Sequence, residues 1–305
     1  MSTNYEILSS DITHNRRLSA KKVYVVNAEV RVRKNVRLVI EDGVTILIQN
    51  GYSQKSQLKR SALIFDQGSI LRGQRFYIKA CNEKYRQVKN ADNGGVWFLG
   101  NFCKASKDTV SVKINRKIPP SSFKAEMVSM HYLGRRDPEH ETSRTLAVND
   151  DIDGISILGV GPDEWNISEI RSHYSGDDGF DVTNSHIKLD RIKVITPTED
   201  GLNLSSSRVE VRRSLILDVT KTKCVDRDIF DFETDDGASY LEIAQHCHVD
   251  IRGVFGDELV LSSKDLPKPK RNGDAPYQFK GVTRKAAALI SVSYTHLTLP
   301  TILRV

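Results

Sequence analysis

Residues 177–182 read DDGFDV and residues 199–204 read EDGLNL: an acidic pair, a glycine and a short alternating run return after 22 residues, Gly179 to Gly201. The same unit stands at 41–48 (EDGVTILI), 65–71 (FDQGSIL), 93–100 (NGGVWFLG), 152–158 (IDGISIL), 235–243 (DDGASYLEI) and 256–261 (GDELVL). Gly43 to Gly68 is 25 residues, Gly68 to Gly95 is 27, Gly154 to Gly179 is 25 and Gly201 to Gly237 is 36. Gly95 to Gly154, at 59, holds about two units, and the 36-residue gap predicts an insertion near 220–234. Repeats of roughly 20–50 residues mark a chain built from stacked turns.

Local chemistry decides which kind of turn. Val44, Ile46 and Ile48 alternate with period two, as do Val209 and Val211, β-branched residues are common, and no sustained 3.6-residue period appears. Those are strands, and the LxxLxL pattern of leucine-rich repeats is missing. Several strands per unit, separated by Gly, Asn and Asp turns that tolerate positive φ, describe an all-β, single-stranded right-handed parallel β-helix, or β-solenoid. Ile155, Ile157, Phe180, Val182, Leu202 and Leu204 are its expected inward columns. The β-helix is expected over 21–265, behind an N-terminal cap at 1–20. An insertion at 104–148, marked by Pro119-Pro120 and GRRDPEHETSR (134–144), surrounds one further turn built on AEMVSMHYLG (125–134). Residues 266–290 read as a linker and the start of a truncated segment. VSYTHLTLPT (292–301) matches a translated sequencing-library adapter, so 291–305 are expected to be an artefact.

The 305 residues are 39% hydrophobic and 28% charged, enough to bury a real core. Net charge is +6 and pI about 9.0, which favours acidic partners, but Lys and Arg are spread along the chain and no nucleic-acid partner is expected. The N-terminus shows no apolar signal region and no window approaches a membrane span, so the default expectation is cytoplasmic. Four cysteines are too few for a disulfide scaffold and form no CxxC motif. Cys81 and Cys103, like Cys224 and Cys247, are one turn apart and expected to stack as interior thiols. His246 and His248 offer half of a metal site without a third ligand; Cys247 between them reads as core.

If the turns align, Asp153, Asp178, Asp200 and Asp236 share one edge at about 5 Å per strand. Unit charges at about 5 Å repel by roughly 3 kcal/mol at an effective dielectric near 20. Four arrangements offset this. One carboxyl stays protonated and serves as an acid; a Ca²⁺ takes Asp177, Asp178 and Asp200; backbone N–H groups with Arg171 or Arg191 neutralise the edge; or each Asp bonds its own turn and faces water. His173 is a candidate base or polarising group beside the pair. Trp165, in the loop GVGPDEWN, is the candidate sugar-stacking platform, whereas Trp97 reads as core.

Two resemblances follow from these segments. VIEDGVTILIQNG, ALIFDQGSILRG and NGGVWFLGNF, followed by MVSMHYLG, DGISILGVG and HYSGDDGFDV, resemble bacterial right-handed β-helix repeat proteins in the same order across roughly 22–205. That likeness implies the pectin-lyase-like fold and a cell-surface or secreted setting. Asp151-Ile152-Asp153-Gly154 and Gly176-Asp177-Asp178 also resemble the first two motifs of polygalacturonases, which implies Asp153, Asp177 and Asp178 as general acid and base. The third place reads Glu199-Asp200-Gly201 without a histidine, and Arg191-Ile192-Lys193 stands one turn earlier than that family's Arg-x-Lys. Arg191 and Lys193, with Trp165 and His173, are the candidate substrate-binding residues. The expected function is a binding or scaffold module for a polysaccharide or a surface protein. The alternative is a hydrolase or lyase acting on acidic polysaccharide through the Asp edge, with Ca²⁺ as its candidate ion and no other cofactor.

Overall fold

Alternation along each repeat puts one set of side chains inside, and the computed structural model shows where they meet. It describes residues 4–51, 60–101, 117–135, 152–221, 228–233, 239–244 and 247–252. Every regular element is a strand; among the described residues there is no helix, hence none long and apolar enough to cross a membrane. The strands make two parallel sheets, of 13 and 7 strands. In the second, smaller sheet Glu29–Val32, Ala62–Phe65, Val96–Leu99, Ile155–Leu158, Asp181–Thr183, Leu202–Ser205 and Phe230–Glu233 lie side by side in chain order. The first sheet also follows chain order along its main path, from Tyr5–Leu8 and Val23–Val26 through Trp165–His173 and His186–Ile195 to Tyr240–Ile243. The chain passes from Trp165–His173 to Asp181–Thr183 and back to His186–Ile195, visiting both sheets in each turn. Such stacked turns are compatible with a solenoid.

Register explains the core. Phe65, Phe98, Ile157, Val182, Leu204 and Phe232 are successive partners across the second sheet, and all six are buried. Each such side chain contributes about 1.5–3 kcal/mol by leaving water. One continuous cluster runs from Leu8 to Ile251. The segment expected to cap the N-terminus already belongs to the sheets: Tyr5 pairs Val23 and Arg16 pairs Leu38. The strand expected within the insertion is present as Ser122–His131.

Three expectations are corrected. Trp165 is 4% exposed, not a platform; it opens the strand Trp165–His173 with its ring edge-on to Phe98 at 5.3 Å and 82°. The turn after EDGLNL is 228–233, since Leu202 pairs Phe230 and Leu204 pairs Phe232, while Tyr240–Ile243 joins the first sheet against Arg208–Val211. The glycines at 179 and 201 answer to close approach rather than to positive φ: a Cβ on Gly179 would sit 2.1 Å from Val194 Cγ1, and one on Gly201 2.6 Å from the Ile229 carbonyl. Asp151, Cys103, Cys224, Asp235, Asp236, His246, most of 104–148 and all of 253–305 lie outside the described residues.

Candidate functional site

The turn leaving the first sheet begins at a left-handed residue: Tyr132, Tyr174 and Thr196 have φ of 58°, 59° and 51°. Each donates its N–H to the turn above, Tyr132 to the His173 carbonyl (2.9 Å), Tyr174 to Ile195 (2.9 Å) and Thr196 to Asp218 (2.7 Å). The stacked corners fix where the acidic residues land. Gly179 N–H donates to the Asp200 carbonyl and Gly201 N–H to the Asp228 carbonyl, both at 2.8 Å. Side chains repeat the pattern. Asp178 N–H donates to the Asp153 carboxylate, Asp200 N–H to Asp178 Oδ1 at 3.1 Å, and Asp228 N–H to Asp200 Oδ1. Asp153, Asp178, Asp200 and Asp228 thus form a column in which each of the first three carboxylates accepts the backbone N–H of the next aspartate.

Asp181 stands beside that column. It opens the strand Asp181–Thr183 in an outward row, Ser156, Asp181, Asn203 and Asp231, set by strand register. Asp178 and Asp181 are only 7% and 8% exposed; Asp153 and Asp200 keep a partly exposed edge. Burial pushes Asp153 up to about 7, against the hydrogen bond from Ser156. Burial, then the charges of Asp200 and Asp153, hold Asp178 well above the usual carboxylate range. Burial and Asp153 do the same to Asp181. Asp200 is raised chiefly by burial, opposed by the Asp228 N–H. Asp153 and Asp181 are also hydrogen-bonded to each other. Ser156 Oγ donates to Asp153 Oδ2 (3.1 Å) and Thr183 Oγ1 to Asp181 Oδ1 (3.2 Å). The Asp153–Asp181 contact lowers Asp153 and raises Asp181, and two carboxyl groups can bond in this way only when one of them holds a proton.

A second grouping lies one step along the turn. One carboxylate oxygen from each of Asp177, Asp178 and Glu199 falls within 4.8 Å of the others. An all-oxygen, three-carboxylate set suits a hard cation such as Ca²⁺. Glu199 takes the place expected for Asp200, whose carboxylate caps Asp228 instead.

No protein family, curated protein or solved structure matches this chain. The residues themselves therefore carry the reading. Asp153, Asp177 and Asp178, the expected acid and base, are brought together on neighbouring turns. The expected substrate-binding residues are not with them. Trp165 is core. Arg191 and Lys193 lie on the outward face of the first sheet, where Arg171 (2.5 Å) and Arg191 (3.7 Å) both pair with Glu169. His173 stacks on His131 at 4.7 Å and is pushed down to about 4 by burial, His131, Lys193 and Arg171. It stays neutral and belongs to the basic face. Sequence reading missed Asp181, Asn203, Asp228 and Asp231 as members of the acidic edge. The signal for Asp181 was present: Phe180 and Val182 point inward, so the residue between them points out.

Proposed function

We propose that this chain is a right-handed parallel β-helix of pectin-lyase-like architecture that hydrolyses a polysaccharide lying across the outward face of its second sheet. The observation that carries this reading is the contacting carboxyl pair Asp153–Asp181, both members raised by burial. A carboxyl group that retains its proton near neutral pH is what a glycosidic oxygen needs when its bond to the anomeric carbon breaks. The pair donates that proton. Asp177, on the turn after Asp153, takes a proton from the attacking water. Asn203 Oδ1 is buried without a hydrogen-bond partner, one strand from Asp181, and accepts a sugar hydroxyl. An edge built of acidic side chains gives a uronate no counter-charge, so the substrate is a neutral glycan. The expectation of an acidic one drew on the net positive charge and the polygalacturonase-like motifs, and its candidate binding residues Arg191 and Lys193 lie on the other sheet.

A second reading, a non-catalytic binding scaffold, is favoured by one observation: the carboxylates of Asp153, Asp178 and Asp200 already cap the next backbone N–H. Reducing-end release from a panel of neutral glycans separates the two. The wild type is expected to turn over at least one, and Asp181→Asn, checked for native circular dichroism, to lose about 100-fold or more in kcat. A wild type inactive on the whole panel leaves the scaffold.

A further inference from the structure

We propose that the outward face of the first sheet is a second, separate binding surface, where Lys79, Arg171, Arg191 and Lys193 hold an acidic polysaccharide laid across the strands. Four adjacent strands, Arg75–Cys81, Ser122–His131, Trp165–His173 and His186–Ile195, present it. Their outward rows follow from register: Arg75, Met127, Glu169, Arg191; Tyr77, Ser129, Arg171, Lys193; Lys79, His131, His173, Ile195. Five of these twelve positions are Lys or Arg and one, Glu169, is acidic. Glu169 is shared by Arg171 and Arg191, and among the described residues neither Lys79 nor Lys193 has an ion-pair partner.

Arrangement matters as much as count. Arg171 stands directly opposite Lys193. Like charges in direct cross-strand register oppose folding, and an anion spanning them removes that opposition. The stacked imidazoles of His131 and His173, both held below their usual range first by burial, remain neutral and give the cations a rigid floor. Tyr132 and Tyr174 continue the floor at the corner, stacked at 4.7 Å and 4°. Because these rings spend a face on each other, the surface offers few open aromatic faces for nucleobases, and sugar-borne acid groups suit it better than a nucleic acid strand.

The test uses the full chain and a fluorescent oligogalacturonate, titrated by anisotropy at 50 mM and 300 mM salt, with a single-stranded oligonucleotide of equal charge alongside. Saturable binding at low salt, weakened at high salt, is expected. Lys193→Ala and Lys79→Ala should each weaken it about three- to tenfold, since each removes one screened charge contact. Lys193→Arg should restore it, and Asp181→Asn should leave it unchanged. Absent saturation at 50 mM salt, or unaltered affinity in both alanine variants with unchanged melting temperatures, overturns the surface. Tighter binding of the oligonucleotide overturns the polysaccharide assignment. Loss of binding in Asp181→Asn overturns its independence from the acidic edge.

Discussion

At Gly179 the chain has no room for a side chain. A Cβ there would lie 2.1 Å from Val194 Cγ1 and 2.6 Å from the Gly201 carbonyl, and the second contact is backbone in the next turn. Gly179→Ala is therefore expected to destabilise by roughly 2 kcal/mol through overpacking, read as a lower urea midpoint with an unchanged slope. The same proximity explains why the Asp-Gly pair recurs: the glycine lets turns approach, and the aspartate accepts the next turn's N–H. Asp153, Asp178 and Asp200 were legible for that reason. Asp228 was not, because Ile229 follows it and no glycine marks the place. Trp165 misled for a different reason. Its neighbours GVGPDE read as an exposed loop, yet buried Glu164 accepts the N–H groups of Gly161 (2.8 Å) and Ser121 (2.7 Å), tying that loop down and delivering Trp165 to the core. Nothing in local composition shows where a carboxylate finds donors 43 residues away.

At the scale of the element, the corner opposite the acidic edge is held by serines. Ser185, Ser207 and Ser239 stand immediately before His186–Ile195, Arg208–Asp218 and Tyr240–Ile243. Val160 N–H donates to Ser185 Oγ (2.9 Å), Ser185 N–H to Ser207 Oγ (2.9 Å) and Ser207 N–H to Ser239 Oγ (3.3 Å). Ser207 Oγ in turn donates to the Ser205 carbonyl at 2.8 Å. Ser207→Ala leaves a buried N–H and a buried carbonyl without this partner, at a cost of about 2 kcal/mol. Chemical denaturation checks the figure, and Ser207→Thr, which keeps the hydroxyl, should lose less. Strand identity was readable from alternation throughout. The register that lines up these serines was readable only where spacing stayed near 22 residues, as from Ser185 to Ser207, and was lost at the longer step to Ser239.

For the whole molecule, the segregation of charge sets the response to pH. Asp153, Asp178, Asp181 and Asp200 are raised in the folded chain, so they keep protons that an unfolded chain releases near pH 3.9. Their contribution is complete below that value and is lost as pH rises through the folded values, about 7 for Asp153. His131 and His173 act the other way. Lowered on folding, they add stability at neutral pH that is lost as pH falls below about 6.5, where the unfolded imidazoles protonate. Above pH 6.5 the raised carboxyls, among the described residues, favour stability at lower pH, and the buried thiols of Cys81 and Cys247, pushed up to about 11, act in the same direction at higher pH, so the melting temperature should fall from pH 6.5 to 8. Asp181→Asn should flatten that slope. Millimolar Ca²⁺, if held by Asp177, Asp178 and Glu199, should recover part of the loss at pH 8. A melting temperature that climbs with pH over this window would contradict the buried, protonated edge.

The column of aspartates also has a direction. In every step the accepting carboxylate belongs to the earlier turn and the donating N–H to the later one, from Asp153 to Asp178 to Asp200 to Asp228. Chain synthesis proceeds in that same order. When a new turn emerges, its docking point is already in place on the turn before it, so assembly can extend vectorially from the N-terminal side without waiting for the rest of the chain.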